Sequence, residues 1–243
     1  MSEDRHSQAD PVELITDPEE KARSEAENGI RQYKAAREII RAAIENPDKN
    51  MHTEFHETTG LIISFIRNVH IKRAIDKDGP MELNFWRVTS GSLLDMAVVE
   101  WCKLFGSDNE EHQPVHWKNS IPTKDHDAFR AELYALAGSK SAWHAYWKQV
   151  KEYRNKLSAH LDLRHPRPEN NPGFDLGLAS ASLYYDWLMK MGEPLGLAKG
   201  YPKDVGKYRD FFAKQSLEIA SVALAATSTI REPIGYGFVE AES

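Results

Sequence analysis

Three polar residues in the second half of the chain have the types and the spacing to bind an anion and to exchange a proton. Arg154 and Asn155 are adjacent, and five residues separate Arg154 from His160. An arginine stays protonated, and its planar guanidinium can donate two parallel hydrogen bonds to a phosphate. A histidine, with an unperturbed pKa of about 6.5, can take or give a proton near neutral pH. The trio is a candidate for anion binding combined with acid–base chemistry.

Residues 141–168 predict a helix that carries this trio on an apolar stripe. At about 100° per residue, the apolar side chains fall within roughly 120° of arc, with Arg154 in the middle and His160 about 120° round from it. Because an unpaired buried charge costs several kcal/mol, Arg154 either lines a cavity that receives an anion or pairs with Asp95 or Glu100. In the second case His160 merely faces the C-terminal dipole of its helix. The stripe consists of Trp143, Tyr146, Trp147, Val150, Tyr153, Leu157 and Leu161.

Two stretches of the sequence resemble a known family. The run Y-R-N-K-L-S-A-H-L-D, residues 153–162, resembles the signature of the HEPN superfamily, in which an arginine and a polar residue precede a histidine near a helix end. The run E-W-C-K-L-F-G at 100–106, followed by H-W-K at 116–118, is similar to the abortive-infection branch of that superfamily. The resemblance covers roughly residues 80–190.

The resemblance implies an all-α HEPN-like fold and a metal-independent endoribonuclease that acts in phage defence or as a toxin. Arg154 would hold the phosphate, His160 would serve as base or acid, and Asn155 would orient the histidine or hold a phosphate oxygen. HEPN toxins paired with nucleotidyltransferase antitoxins usually have a tyrosine two residues after the histidine, where this chain has Asp162. The antitoxin or defence partner is therefore left unidentified. The rival hypothesis is a non-catalytic HEPN-type module that binds RNA or protein in a defence complex.

The distribution of charge favours a specific anionic partner. The chain has a net charge of −6, yet residues 148–167 contain six Lys or Arg and two acids, a net charge of +4. A basic segment on an acidic protein suits RNA at one site better than indiscriminate nucleic-acid binding. The candidate RNA-binding residues are Lys151, Lys156, Arg164, Lys103 and His116. No cofactor is expected.

The resemblance also implies a homodimer with a composite active site. Cleavage of RNA by its own 2′-hydroxyl needs a base and an acid on opposite sides of the phosphorus, and one chain supplies one histidine of the trio. A two-fold axis beside this helix end would bring two copies of Arg154, Asn155 and His160 around one cleft. In a monomer, the second proton carrier would have to be another histidine of the same chain, namely His112, His116 or His165.

Other motifs point less clearly to chemistry. His52 and His56 have the i, i+4 spacing that can hold a metal, but Glu54 is misplaced for the H-E-x-x-H motif and no third ligand is evident, so no metal site is predicted. Trp143, Tyr146 and Trp147 either stack on bases or, as is commoner for aromatics at helical spacing, form core. The His116–Lys118 loop either covers the active site or is anchored by Trp117.

The elements that must position these residues are predicted to be helices. No alternating apolar run indicates a strand, and the expectation is one all-α domain of about seven helices over 18–230, between a disordered tail, 1–17, and a second tail, 231–243. Helices are predicted at 18–44, from about 52 to 77, and at 83–105, 125–137, 175–191 and 204–229, besides the one that carries the trio. The single cysteine, the polar N-terminus and the lack of a long apolar run predict a cytoplasmic chain without a signal peptide or a membrane span.

Overall fold

The computed structural model describes residues 47–77, 83–106, 114–158 and 172–230. The regular secondary structure of these residues is helical. These residues form seven α-helices and no strand, so the all-α prediction is confirmed for them. In chain order the α-helices are α1 (Pro47–Asp76), α2 (Asn84–Phe105), α3 (Trp117–Ser120), α4 (His126–Leu136), α5 (Lys140–Tyr153), α6 (Asp175–Gly192) and α7 (Val205–Thr227). Short 3₁₀ helices span Thr123–Asp125 and Glu193–Leu195, and a π-helix spans Arg154–Ser158.

The chain divides into two units, residues 1–50 and 51–243. All described residues belong to the second unit except the first four of α1. The predicted domain boundary at residue 18, the predicted helix over 18–44 and both predicted tails lie outside the described residues.

Four helices, α2, α4, α6 and α7, begin and end within two residues of their predicted positions. Two expectations were wrong. The helix predicted from about His52 begins at Pro47, since the locked φ of proline and its missing N–H suit the first turn of a helix. The segment 106–124, predicted as a loop, contains α3 and a 3₁₀ turn, and α3 begins where the His116 ring accepts a hydrogen bond from the Lys118 N–H.

The junction between α4 and α5 shows how the local sequence directs the chain. Gly138 has a φ of 82°, a left-handed conformation that side chains disfavour, and it follows the last turn of α4. Ser139 then caps α5, because its hydroxyl accepts a hydrogen bond from the Ala142 N–H at 3.1 Å. This pair of residues determines where α5 begins and lets it turn back against α4.

The apolar stripe of α5 packs into the main core. Trp143, Val150 and Tyr153 are buried, while Tyr146 and Trp147 are partly buried against the same cluster. Trp101 of α2 is fully buried beside them, with its ring centroid 5.9 Å from that of Trp143. The stripe is therefore confirmed for its first five members, and the side chains of the last two lie outside the described residues. Helix α5 packs against α2 and α4, and the π-helix packs against α2.

Candidate active site

The regular geometry of α5 ends at the residue where the predicted site begins. After Tyr153 the chain continues as a π-helix over Arg154–Ser158, and the Arg154 N–H still bonds back to the carbonyls of Lys151 and Val150. π-helical turns are rare and occur frequently at functional sites, because the extra residue in the turn re-aims the side chains that it carries. The angle of about 120° predicted between Arg154 and His160 assumed an uninterrupted α-helix. The π-helix makes that assumption wrong, and His160 itself lies outside the described residues.

Arg154 is half-buried at the start of this turn, and its hydrogen-bond partner is its neighbour. The Arg154 Nε donates to the Asn155 Oδ1 at 3.1 Å, which holds the amide and the guanidinium side by side. Among the described residues, Arg154 forms no ion pair with Asp95 or Glu100, the two acids that a purely structural role would use. The Asp95 carboxylate instead accepts a hydrogen bond from the Tyr153 hydroxyl at 3.3 Å.

Glu100 shows how this protein accommodates a buried carboxyl group. The carboxylate is 8% exposed, and it accepts hydrogen bonds from the Ser64 hydroxyl at 2.5 Å and from the Asn68 amide at 2.8 Å. Burial raises the pKa of Glu100, while these two hydrogen bonds and the nearby Lys103 cation oppose the rise. Both oxygens of Glu100 therefore already have donors inside the protein.

The predicted RNA-binding residues do not lie together in the structure. Lys151 and Lys156 lie on α5 and its π-helix, close to Arg154 along the chain. Lys103 is exposed on α2, eight residues or about 12 Å along the helix from Asp95, whose carboxylate contacts Tyr153 next to Arg154. It lines a groove of about 540 Å³ whose walls include Glu57 and Glu100 but not Arg154. Arg164 lies outside the described residues.

His116 has a different environment from the one expected of an RNA-binding residue. Its ring is 1% exposed, and its Nδ1 accepts from the Lys118 N–H at 3.3 Å to cap α3. Trp117 is also buried, against Phe129. The buried ring of His116 therefore lies out of reach of an RNA strand on the surface.

A concave surface that the sequence did not predict lies at the other end of α5. It is a cavity of about 250 Å³, with walls from α2, α3, α4 and α5. Four separate elements contribute its residues, so no local spacing in the sequence could have identified it. The sequence gives a partial signal for this surface, because the helical spacing of Trp143 and Trp147 allows them either to stack on bases or to form core. Of these, Trp143 is buried in the core and Trp147 is only partly buried.

His52 and His56 face each other on α1. Their Nε2 atoms are 3.4 Å apart, and the Nδ1 of His56 lies 2.7 Å from the Tyr201 hydroxyl. Across residues 47–77, 83–106, 114–158 and 172–230, no group of three His, Cys, Asp or Glu side chains is placed to hold a metal ion. In the same residues no helix is long and apolar enough to cross a membrane.

Comparison with protein-family models, with characterised proteins and with solved structures finds no significant match to this chain. The functional argument therefore depends on the residues and on their geometry.

Proposed function

We propose that this protein is a metal-independent endoribonuclease of HEPN type, which cleaves RNA in phage defence or as a toxin. The observation that carries the proposal is the π-helix that begins at Arg154. It lies where the R-N-x₄-H motif begins, at the end of an otherwise regular helix that is packed into the core. Among the described residues Arg154 pairs with no acid and bonds to the amide of Asn155, which is compatible with a guanidinium that also takes a phosphate.

The residues support a cleavage reaction that needs no external nucleophile. The 2′-hydroxyl of the RNA attacks the adjacent phosphorus while a base, His160, takes its proton. The bond from phosphorus to the 5′-oxygen breaks, and an acid returns a proton to that oxygen. The products are a 2′,3′-cyclic phosphate and a free 5′-hydroxyl. Arg154 would neutralise the charge that develops on the equatorial oxygens, which is the form of catalysis that preorganised cations provide.

The number of proton carriers in the motif supports a homodimer. The trio contains one titratable group, His160, and the reaction needs two proton carriers on opposite sides of the phosphorus. Two copies of the motif around a two-fold axis would supply both. They would also place two segments of net charge +4 around one RNA strand, on a protein whose remaining residues sum to −10.

The test is incubation of the purified protein with single-stranded RNA in excess EDTA. We expect cleavage to persist and to leave a 2′,3′-cyclic phosphate end, and we expect DNA of the same sequence to remain intact because it lacks the attacking hydroxyl. Activity that disappears in EDTA and returns with magnesium or manganese would contradict the proposed mechanism. RNA binding without any cleavage would instead favour the non-catalytic HEPN-type module.

A further inference from the structure

His52 and His56, one turn apart on α1, bring the same ring nitrogen together. Their Nε2 atoms are 3.4 Å apart. That separation is long for a hydrogen bond, since N–H donors in proteins commonly lie about 2.9–3.0 Å from their acceptors. It matches two nitrogen ligands of one ion, because bonds of about 2.0–2.1 Å that meet at a tetrahedral angle place the two nitrogens about 3.3–3.4 Å apart. The i, i+4 spacing in the sequence does not determine this distance, which depends on the ring orientations in the structure.

The ring of His56 is held by aromatic neighbours and by a hydrogen bond. Its Nδ1 lies 2.7 Å from the Tyr201 hydroxyl, and the two rings stack with their centroids 5.4 Å apart. Phe55, which is buried, packs its edge against both rings. In the tautomer that donates from Nδ1 to the Tyr201 oxygen, the lone pair is on Nε2, the atom near His52. Histidines that bind metals usually donate from their other nitrogen in this way, which fixes the tautomer and the ring orientation.

His52 supplies the second nitrogen from an exposed side chain. The centroids of the two histidine rings are 4.3 Å apart and their planes are tilted by 57°. Two rings that direct their lone pairs at one ion have their centroids farther apart, so the His52 ring must turn outwards when an ion binds. An exposed ring can make this turn without disturbing the core, while His56 stays in place against Tyr201.

We propose that His52 and His56 bind one divalent transition-metal ion, and that Zn²⁺ fits their tetrahedral spacing best. Imidazole nitrogen suits zinc, copper and nickel, whereas magnesium and calcium prefer oxygen ligands. Among the described residues no third His, Cys, Asp or Glu is placed to join the pair. Two of the four tetrahedral positions therefore remain for water or for a ligand from solution, and the ion binds reversibly. Neither histidine belongs to the Arg154–His160 motif, so metal binding here and metal-independent cleavage are separate properties of the protein.

Binding is tested by calorimetric titration of the full chain with ZnCl₂ in a buffer without chelator. We expect saturable binding that excess MgCl₂ does not compete away. His52→Ala and His56→Ala should each weaken it at least tenfold, because either change leaves a single imidazole. His144→Ala is the matched control, since it removes an exposed histidine of α5 and should change the affinity less than threefold. His52 is itself exposed, so its replacement tests the site even if His56→Ala lowers stability.

The role of Tyr201 is tested by removing its hydroxyl group alone. Tyr201→Phe keeps the stacked ring but removes the partner of the His56 Nδ1, and it should weaken Zn²⁺ binding about tenfold. Tyr208→Phe is the control, because its hydroxyl accepts from the Arg67 Nε at 2.7 Å and not from a histidine. Wild type that shows no saturable binding would overturn the proposal. Zn²⁺ that binds both histidine variants as tightly as wild type would also overturn it, because the ion would then lie elsewhere in the chain.

Discussion

Helix α5 and the π-helix that continues it are adjacent in the chain but differ in what their side chains contact. In α5 the side chains of Trp143, Val150 and Tyr153 are buried and complementary to α2 and α4. In the π-helix, Arg154 is half-buried and Asn155 is exposed, and they bond to each other. The side chains of the first segment are held by packing, whereas Arg154 in the second bonds within its own segment and is assigned to phosphate binding only by the proposed function. Loss of a residue should therefore affect stability in one segment and activity in the other.

The largest effect is expected from Arg154→Ala. If Arg154 faces the developing charge as proposed, its removal should lower RNA cleavage by about 10³-fold, with little change in helix content or stability. His160→Ala, made in parallel, should lose cleavage to a similar degree. Gel-based cleavage assays and circular dichroism check the two properties. Variants that cut at the wild-type rate would refute the assignment, and an unfolded Arg154→Ala would indicate that the side chain of Arg154 is needed for the fold instead.

A smaller loss is expected when the π-helix is converted into an α-helix. Deletion of Lys156 removes one residue from the turn, so the backbone can close with ordinary i→i−4 bonds and rotate every later residue relative to Arg154. We expect cleavage to fall by about 100-fold because the reacting groups are misplaced. Lys156→Ala keeps the length of the turn and should lose much less activity. Equal activity of the deletion variant and wild type would show that the π-helix is dispensable.

Crowding the packed face of α5 is expected to affect stability. A Cβ added at Gly177 of α6 would lie 2.6 Å from the Tyr146 hydroxyl and 3.2 Å from the Phe65 ring. Gly177→Ala should therefore destabilise the fold by about 1–3 kcal/mol in chemical denaturation, with cleavage by the folded protein unchanged. Adding Tyr146→Phe removes the closest atom and should recover part of the loss. No recovery in the double variant would mean that the crowding comes from the Phe65 ring or the backbone.

A smaller effect is expected of salt on the dissociation constant of the proposed dimer. If the basic segment 148–167 faces its own copy, the like charges repel, and added salt screens that repulsion. We expect the dissociation constant to fall severalfold between about 50 and 500 mM salt, measured by sedimentation over a dilution series. A dimer that weakens in salt would be held by opposite charges and would have a different interface. A protein that cuts at full rate as a monomer would exclude the composite site.

The smallest effect concerns the buried carboxyl group of Glu100. Because its folded pKa is raised above the ordinary 4.5, its contribution to stability is fully present below pH 4.5 and is lost as pH rises through the folded pKa. Glu100→Gln removes this titration, so stability above pH 4.5 should depend less on pH than in wild type. Denaturation at a series of pH values checks the slope. An unchanged slope would assign that pH dependence to other groups.

Much of the fold follows from short-range patterns. Helical spacing of apolar residues predicted α5 and its buried face, and capping residues such as Ser139 explain where helices begin. The segment 106–124 was predicted less well. There a histidine, which is not among the usual N-cap residues, caps a helix of four residues that is too short for a periodic pattern to reveal.

The sequence by itself determined that an arginine and an asparagine stand together near the end of an amphipathic helix, because the motif and the apolar period are both local. Only the tertiary structure decided that Glu100 bonds to Ser64 and Asn68 and not to Arg154, and that Trp117 and Arg130 meet the tryptophans of α5 around a cavity. These arrangements join residues that are tens of positions apart. Their partners are chosen by how whole helices pack, which no local spacing encodes.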